Sequence, residues 1–250
     1  MANYKSSISF GLVNIPVVLN PVIQDNDASF NMLHKKCMER VKYIKYCPHC
    51  DTEVKQQDLI KGYEYSNDNY VTFDEKDFDK LKSDEDKTID IVSFINLKEI
   101  DPIYYEKSYY LKTQDKSKAF SLFKYALQKQ NKVALAKTVL GNKSYYVILR
   151  FGKENIIMTT LFYEEEIRLD EETKDENFTQ KEIDLAMKLI DNMSGKFKPK
   201  TYKDEYQDKI KDAINKKING KEIKKPRKKK KENITDLMEA LEKSIKRKDK

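Results

Sequence analysis

Three apolar runs in the second half of the chain, Val133–Leu140, Tyr145–Phe151 and Ile156–Tyr163, are separated only by Gly141-Asn142-Lys143 and Gly152-Lys153-Glu154-Asn155. Linkers this short join antiparallel neighbours, so the three runs form a β-meander. The first half carries the same signature. Ser6–Phe10 and Val13–Val18 flank Gly11, and Gly62–Tyr65 and Tyr70–Phe73 flank the turn Ser66-Asn67-Asp68-Asn69, a hairpin signal. Thr88–Leu97 alternates in part, and Ile103–Leu111 follows Pro102, which suits a strand start or bend. Between these and the meander, Ala119, Phe120, Leu122, Phe123, Ala126 and Leu127 recur at helical spacing, which predicts a helix over 117–130. Sixteen Tyr, eleven Phe and no Trp suit strands better than a helical bundle. Residues 1–170 therefore read as a mostly antiparallel sheet, closed or nearly closed into a barrel, within an α+β protein.

The character of the chain changes at Tyr163. Glu164–Glu166 and Asp170–Glu172 are acidic. Thr179-Gln180-Lys181-Glu182 then has the pattern of a capping box, which satisfies free N–H groups at a helix start. Ile183, Ala186, Met187, Ile190 and Met193 form the stripe of that helix, with Gly195 as its expected stop. A second stripe runs Tyr202, Tyr206, Ile210, Ala213, Ile214 and Ile218 and ends at Gly220. Two amphipathic helices after a complete sheet need a surface to cover them, either their own barrel or a second copy of the chain. Residues 171–222 are thus a helical arm.

Charge divides the same way. Residues 196–250 hold 21 Lys and Arg against 10 Asp and Glu, whereas 1–195 hold 28 against 32. A near-neutral body with a basic tail follows, and clustered cations favour a polyanion because they release counterions from phosphates. The densest run, Lys224–Lys231, has seven basic residues in eight and reads as a flexible linker over 223–233. Beyond it, in 234–250, Ile234, Leu237, Met238, Leu241 and Ile245 share a helical face. That short helix either folds back on the body or docks into a partner's groove.

His34 and Cys37, then Cys47 and Cys50, form the series H-x2-C-x9-C-x2-C, two short pairs joined by a loop that could hold a small strand at Tyr43–Tyr46. Zinc takes four nitrogen or sulfur ligands in a tetrahedron, and two such pairs supply them. Asp51 stands where a zinc turn usually has Gly, and His49 competes as a ligand. Free thiols and redox chemistry remain the other readings. A four-ligand site leaves no open position for water, so any zinc here is structural. Three cysteines without a signal-peptide layout fit a reducing cytoplasm, and no apolar run approaches the roughly 20 residues of a membrane span.

Enzymatic signatures are lacking: no phosphate-binding glycine loop, no dinucleotide fingerprint and no nucleophile elbow. Both histidines sit beside cysteines, which leaves little material for a Ser-His-Asp arrangement. Glu222 and Lys224 have an E-x-K spacing found in some nucleases, but surface charge explains them as well. The sequence is read as a non-enzyme.

Four segments, in order, resemble the prokaryotic Ku family: Ser7–Val17 (SISFGLVNIPV), Lys61–Tyr65 (KGYEY), Ile100–Leu111 (IDPIYYEKSYYL) and Asp236–Leu241 (DLMEAL). The resemblance implies a β-barrel core with inserted bridge strands at about 33–73, followed by the helical arm, which packs on a second protomer. It implies a ring-shaped homodimer that threads double-stranded DNA ends without reading their sequence, in non-homologous end joining. The candidate phosphate contacts are Lys35, Lys36, Arg40, Lys42, Lys45, Lys55 and Lys61, with Arg227, Lys228, Lys229, Lys230 and Lys231 adding nonspecific affinity from the tail. The terminal helix would recruit a multifunctional ATP-dependent DNA ligase through Leu237, Met238 and Leu241. A cytoplasmic, nucleoid-associated protein is expected. Zinc is not a general requirement of that family, so the resemblance adds little to the cysteine reading. The competing reading is a zinc-ribbon nucleic-acid adaptor with no preference for ends.

Overall fold

A computed structural model describes residues 4–81, 88–168 and 178–223, together with Leu241, Ser244 and Ile245. They fall into two units: one of 4–25 and 31–168, the other of 26–30 with the described residues from 178 onward.

The first unit is a closed barrel of seven strands. In chain order these are β1 (Tyr4–Phe10), β2 (Val13–Pro21), β7 (Thr88–Ile95), β8 (Tyr105–Lys112), β9 (Val133–Leu140), β10 (Lys143–Phe151) and β11 (Ile156–Leu161). Around the barrel they run β1, β2, β8, β11, β10, β9, β7. Every pairing is antiparallel except the one that closes the barrel, β1 with β7, which is parallel through Ser7–Thr88, Ile8–Ile89 and Ser9–Asp90. The expected meander is β9–β10–β11, and the Gly11 turn of the first hairpin has φ +59°.

Alternation along the strands fills the interior. On β10, Val147 and Leu149 join the central cluster, while Ile148 between them belongs to a second cluster with Val133 and Leu161. Inside, Val147 pairs with Ala136 and Leu149 with Ala134, so large residues face small ones. Ile8, Ile15, Leu19, Ile89, Leu111, Ile156 and Met158 complete a core with almost no exposed surface. One irregularity is repaired by a side chain. β11 bulges against β8 between Thr159 and Leu161, and there the buried Thr160 hydroxyl accepts the Lys107 N–H at 3.0 Å. A buried N–H left without that acceptor would cost about 1–3 kcal/mol.

Helix α2 (Lys118–Gln130) closes one end of the barrel. Ser117 caps it by accepting from the Phe120 N–H, Phe123 and Leu127 enter the core, and Asn131 ends it at φ +50°. Pro102 opens a 3-10 turn (Pro102–Tyr104), so β8 begins at Tyr105 rather than Ile103. The N-terminal proline suits a turn whose first N–H needs no partner.

Sixty-odd residues separate β2 from β7, and those described add no strand to the barrel. Because β2 runs against β1 and β7 runs with it, this segment leaves and returns at the same end, opposite α2. It holds β3 (Tyr46–Cys47) with β4 (Thr52–Glu53), the hairpin β5 (Lys61–Ser66) with β6 (Asn69–Phe73), and α1 (Glu75–Lys80). The expected strand at Tyr43–Tyr46 is reduced to Tyr46. Helix α1 carries its own signal, the reciprocal cap between Asp74 and Asp77.

In the second unit α3 spans Gln180–Met193 and starts at the expected capping box: Thr179 accepts from the Glu182 N–H, and Glu182 accepts from the Thr179 N–H. It does not stop on Gly195. The chain turns extended at Ser194, whose hydroxyl donates to the Ile190 carbonyl and satisfies that end without a left-handed residue. α4 (Glu205–Ile218) is capped by Asp204, so Tyr202 lies outside it and stacks on Phe197 at 5.3 Å between centroids. Gly220 follows at φ +68°. The segment 26–30 joins this unit, with the Ala28 N–H donated to Gln207 Oε1 at 3.1 Å.

Candidate nucleic-acid interface

The seven candidate cations lie in one stretch, residues 31–62, of the segment between β2 and β7. Two tight turns build its first half. In one, Leu33 bridges Arg40, the His34 N–H donates to the Glu39 carbonyl, and the Met38 N–H donates back to His34. In the other, β3 and β4 enclose Pro48–Asp51, and the Val54 N–H reaches the Lys45 carbonyl at 2.7 Å. These short ladders fix where Lys35, Lys36, Arg40, Lys42 and Lys45 leave the backbone.

All seven cations named from the sequence, Lys35 through Lys61, are exposed. Residues 31–62 carry these seven against four carboxylates. Among the described residues none of the seven is paired with a carboxylate. Lys45 instead donates to Gln56 Oε1, and Lys61 Nζ lies 4.4 Å from the Phe78 ring centroid, a cation–π contact that orients the ammonium without neutralising it. Gln56 and Phe78 are orienting partners that the sequence did not reveal, because nothing in their spacing ties them to a particular lysine. By contrast Lys143 at the barrel is engaged: its bond to Glu166 holds the ammonium pKa above its usual range and the carboxyl below its own. The cations of the insertion are thus available to phosphate oxygens, whose recognition fixes position and not sequence.

The predicted ligand pairs sit on the two turns. His34 Nδ1 is 3.1 Å from Cys37 Sγ. Cys47 is held below the ordinary thiol pKa by the Cys50 N–H, the Cys50 thiol and the His49 N–H, whereas the shared hydrogen bond and the charge of Cys47 push Cys50 up. His49 Nδ1 lies 3.9 Å from Cys50 Sγ. All three cysteines are free thiols. Among the described residues no three His, Cys, Asp or Glu side chains converge on one point.

Arg227, Lys228, Lys229, Lys230 and Lys231, and Leu237 and Met238, lie outside the described residues. Leu241 is helical and half-buried, and Ile245 is buried. Glu222 is exposed, and Lys224 of the E-x-K spacing is also outside the described residues. A groove of about 620 Å³ opens at the α2 end, lined by Phe10, Val13, Phe94, Leu122 and Phe123. It offers apolar contact and no acid–base pair. Among the described residues no helix is long and apolar enough to cross a membrane.

Fold and site together define the class: a closed β-barrel with a long insertion between β2 and β7, the two strands that flank β1, whose stretch 31–62 presents seven exposed cations to solvent. The sequence profile of the Ku70/Ku80 β-barrel domain matches residues 9–185. The chain is similar to the "Non-homologous end joining protein Ku" of Desulfitobacterium hafniense, 41% identical over 97% of this chain and 86% of that protein. Its namesake in Lachnoclostridium phytofermentans is 39% identical over 98% and 96% of the two chains, and that of Bacillus subtilis 36% identical over 80% and 67%. The chain belongs to the Ku family.

Proposed function

We propose that this protein binds double-stranded DNA ends as a ring-shaped homodimer, without sequence preference, and recruits an ATP-dependent DNA ligase in non-homologous end joining. The observation that carries the reading is the run of seven exposed cations, Lys35 to Lys61, without carboxylate partners among the described residues. Family membership and the printed names of the relatives support the pathway. The role is mechanical: a positively lined ring loads where a duplex has an end and holds it through backbone phosphates.

The second copy is argued from uncovered apolar surface. On α3, Met187, Ile190 and Met193 are 59%, 64% and 63% exposed on one stripe. A helix this amphipathic is stable in water only when the stripe is covered. The β5–β6 hairpin has no buried residue, and isolated two-stranded hairpins are marginal. A second protomer covers both in the proposed ring. The terminal segment, with Leu241, is the proposed ligase contact, and Arg227–Lys231 the proposed nonspecific anchor. The adaptor reading is not favoured, since the family match runs across the barrel and not only the cysteine turns.

Binding is expected to be steeply salt-dependent: about 6–10 phosphate contacts weaken affinity roughly 10³–10⁵-fold between 50 and 200 mM salt, and Lys42→Ala should reduce the log–log slope by about one. A flat response in a salt titration contradicts backbone recognition. Ile190→Asp should convert the dimer to a monomer by light scattering and weaken DNA binding with it; an unchanged mass removes the arm from the interface. Leu241→Asp should leave DNA affinity intact and lower ligase stimulation in a nick- or end-joining assay; full stimulation would contradict docking through this helix.

A further inference from the structure

We infer that the apolar groove at the α2 end of the barrel is a docking site for a helix of another protein, one that is amphipathic and flanked by carboxylates. The groove has a fixed floor. Phe10 meets Phe94 edge-on at 5.7 Å between ring centroids and Phe123 at 6.0 Å. Phe123 is rooted in the core, whereas Phe10 and Val13 are each 44% exposed and Leu122 is 66% exposed. Apolar side chains held open to water around a 620 Å³ recess form the kind of surface that a partner covers.

Helix α2 carries more apolar surface than capping the barrel requires. Phe123 and Leu127 do the capping and are buried. Leu122 and Tyr125 lie off that face and are exposed. With Lys118 and Lys129 they make a row at i, i+4, i+7 and i+11, one exposed side of the helix, apolar in the middle and cationic at both ends. Lys129 Nζ sits 5.6 Å from the Tyr125 ring centroid, so the cation is held beside the apolar part of the row.

Charge selects the occupant. Residues 116–132 hold five lysines and no carboxylate. Lys124 is engaged within the barrel unit, donating to the Glu154 carbonyl at 2.7 Å and lying over the Phe151 ring. Lys118, Lys129 and Lys132 are exposed, and among the described residues none of them is in an ion pair. Lys132 lines the groove itself. At 1.5 Å per residue these cations are spread over roughly 20 Å, the length of a short helix and far more than one small anion spans.

Hydrogen bonding selects the form. Among the described lining side chains only Gln130 and Lys132 are polar. An extended segment would bury backbone groups against a wall that offers them little, whereas a helix satisfies its own. The fit is a helix with apolar residues at i, i+4 and i+7 against Phe10, Val13 and Leu122, and with Asp or Glu beside them facing the lysines. None of the proposed DNA contacts lines the groove.

The test uses the full-length protein and three fluorescein-labelled peptides of about 15 residues, long enough for a helix, with one shared apolar face and acidic, neutral or basic flanks. Fluorescence anisotropy should show the acidic peptide bound about tenfold more tightly than the basic one, and Leu122→Asp should weaken it about tenfold. Lys118→Glu combined with Lys129→Glu should reverse the preference in favour of the basic peptide, which misfolding cannot do. Leu122→Asp should keep the wild-type mass by light scattering and the wild-type affinity for linear duplex. Failure of the acidic peptide to bind, binding that Leu122→Asp leaves unchanged, or an unreversed preference overturns the inference. So does a lower mass, which assigns the groove to a second copy, a lost duplex affinity, which assigns it to DNA, or peptide binding seen only with Leu241→Asp, which assigns it to the chain's own terminal segment. The peptide readouts do not depend on DNA, so this inference and the end-binding reading fail separately.

Discussion

Three residue pairs between β1 and β7 shut the barrel, and the rest of the first unit depends on them. Without them the sheet has two open edges and its interior face, from Ile8 to Met158, has nothing to close on. The pairing is parallel, so it cannot be made by a hairpin; a long connection must precede β7. That requirement is met by the segment from Val22 to the start of β7, which leaves and re-enters at the end of the barrel opposite α2. The closure that completes the core therefore also anchors the insertion at two places on one rim.

The two units share an imbalance. The barrel interior buries its own apolar residues, and the bulge between Thr159 and Leu161 is repaired by Thr160. The insertion and α3 do not: the insertion buries nothing of its own between Pro21 and Leu81, and the α3 stripe stands uncovered. Such surfaces mark where a chain expects company. In the proposed ring the partners are a second protomer and a phosphate backbone.

The meander and α2 were legible because their apolar period and turns are local. A closed or nearly closed barrel was expected from the strands, but not which of them close it, since the Ile8–Ile89 contact joins residues whose spacing carries no pattern. Gly195 misled because a serine at 194 ends α3 through its own hydroxyl. The seven cations were legible as a cluster. Their freedom was not: it rests on which carboxylates lie out of reach, and the orienting role of Phe78 on Lys61 comes from tertiary placement alone. The cysteine pattern was legible, whereas the left-handed Met38 and Asp51 that shape its turns appear only in the backbone.

The central claim is recognition of duplex ends by threading. The direct measurement is a gel shift at fixed salt with one DNA in three forms: linear, covalently closed circle, and linear with both ends blocked by bulky protein caps. The account predicts a stable complex with the open linear form and little with the other two. Equal binding to all three would contradict threading and leave a basic protein that holds DNA anywhere along its length.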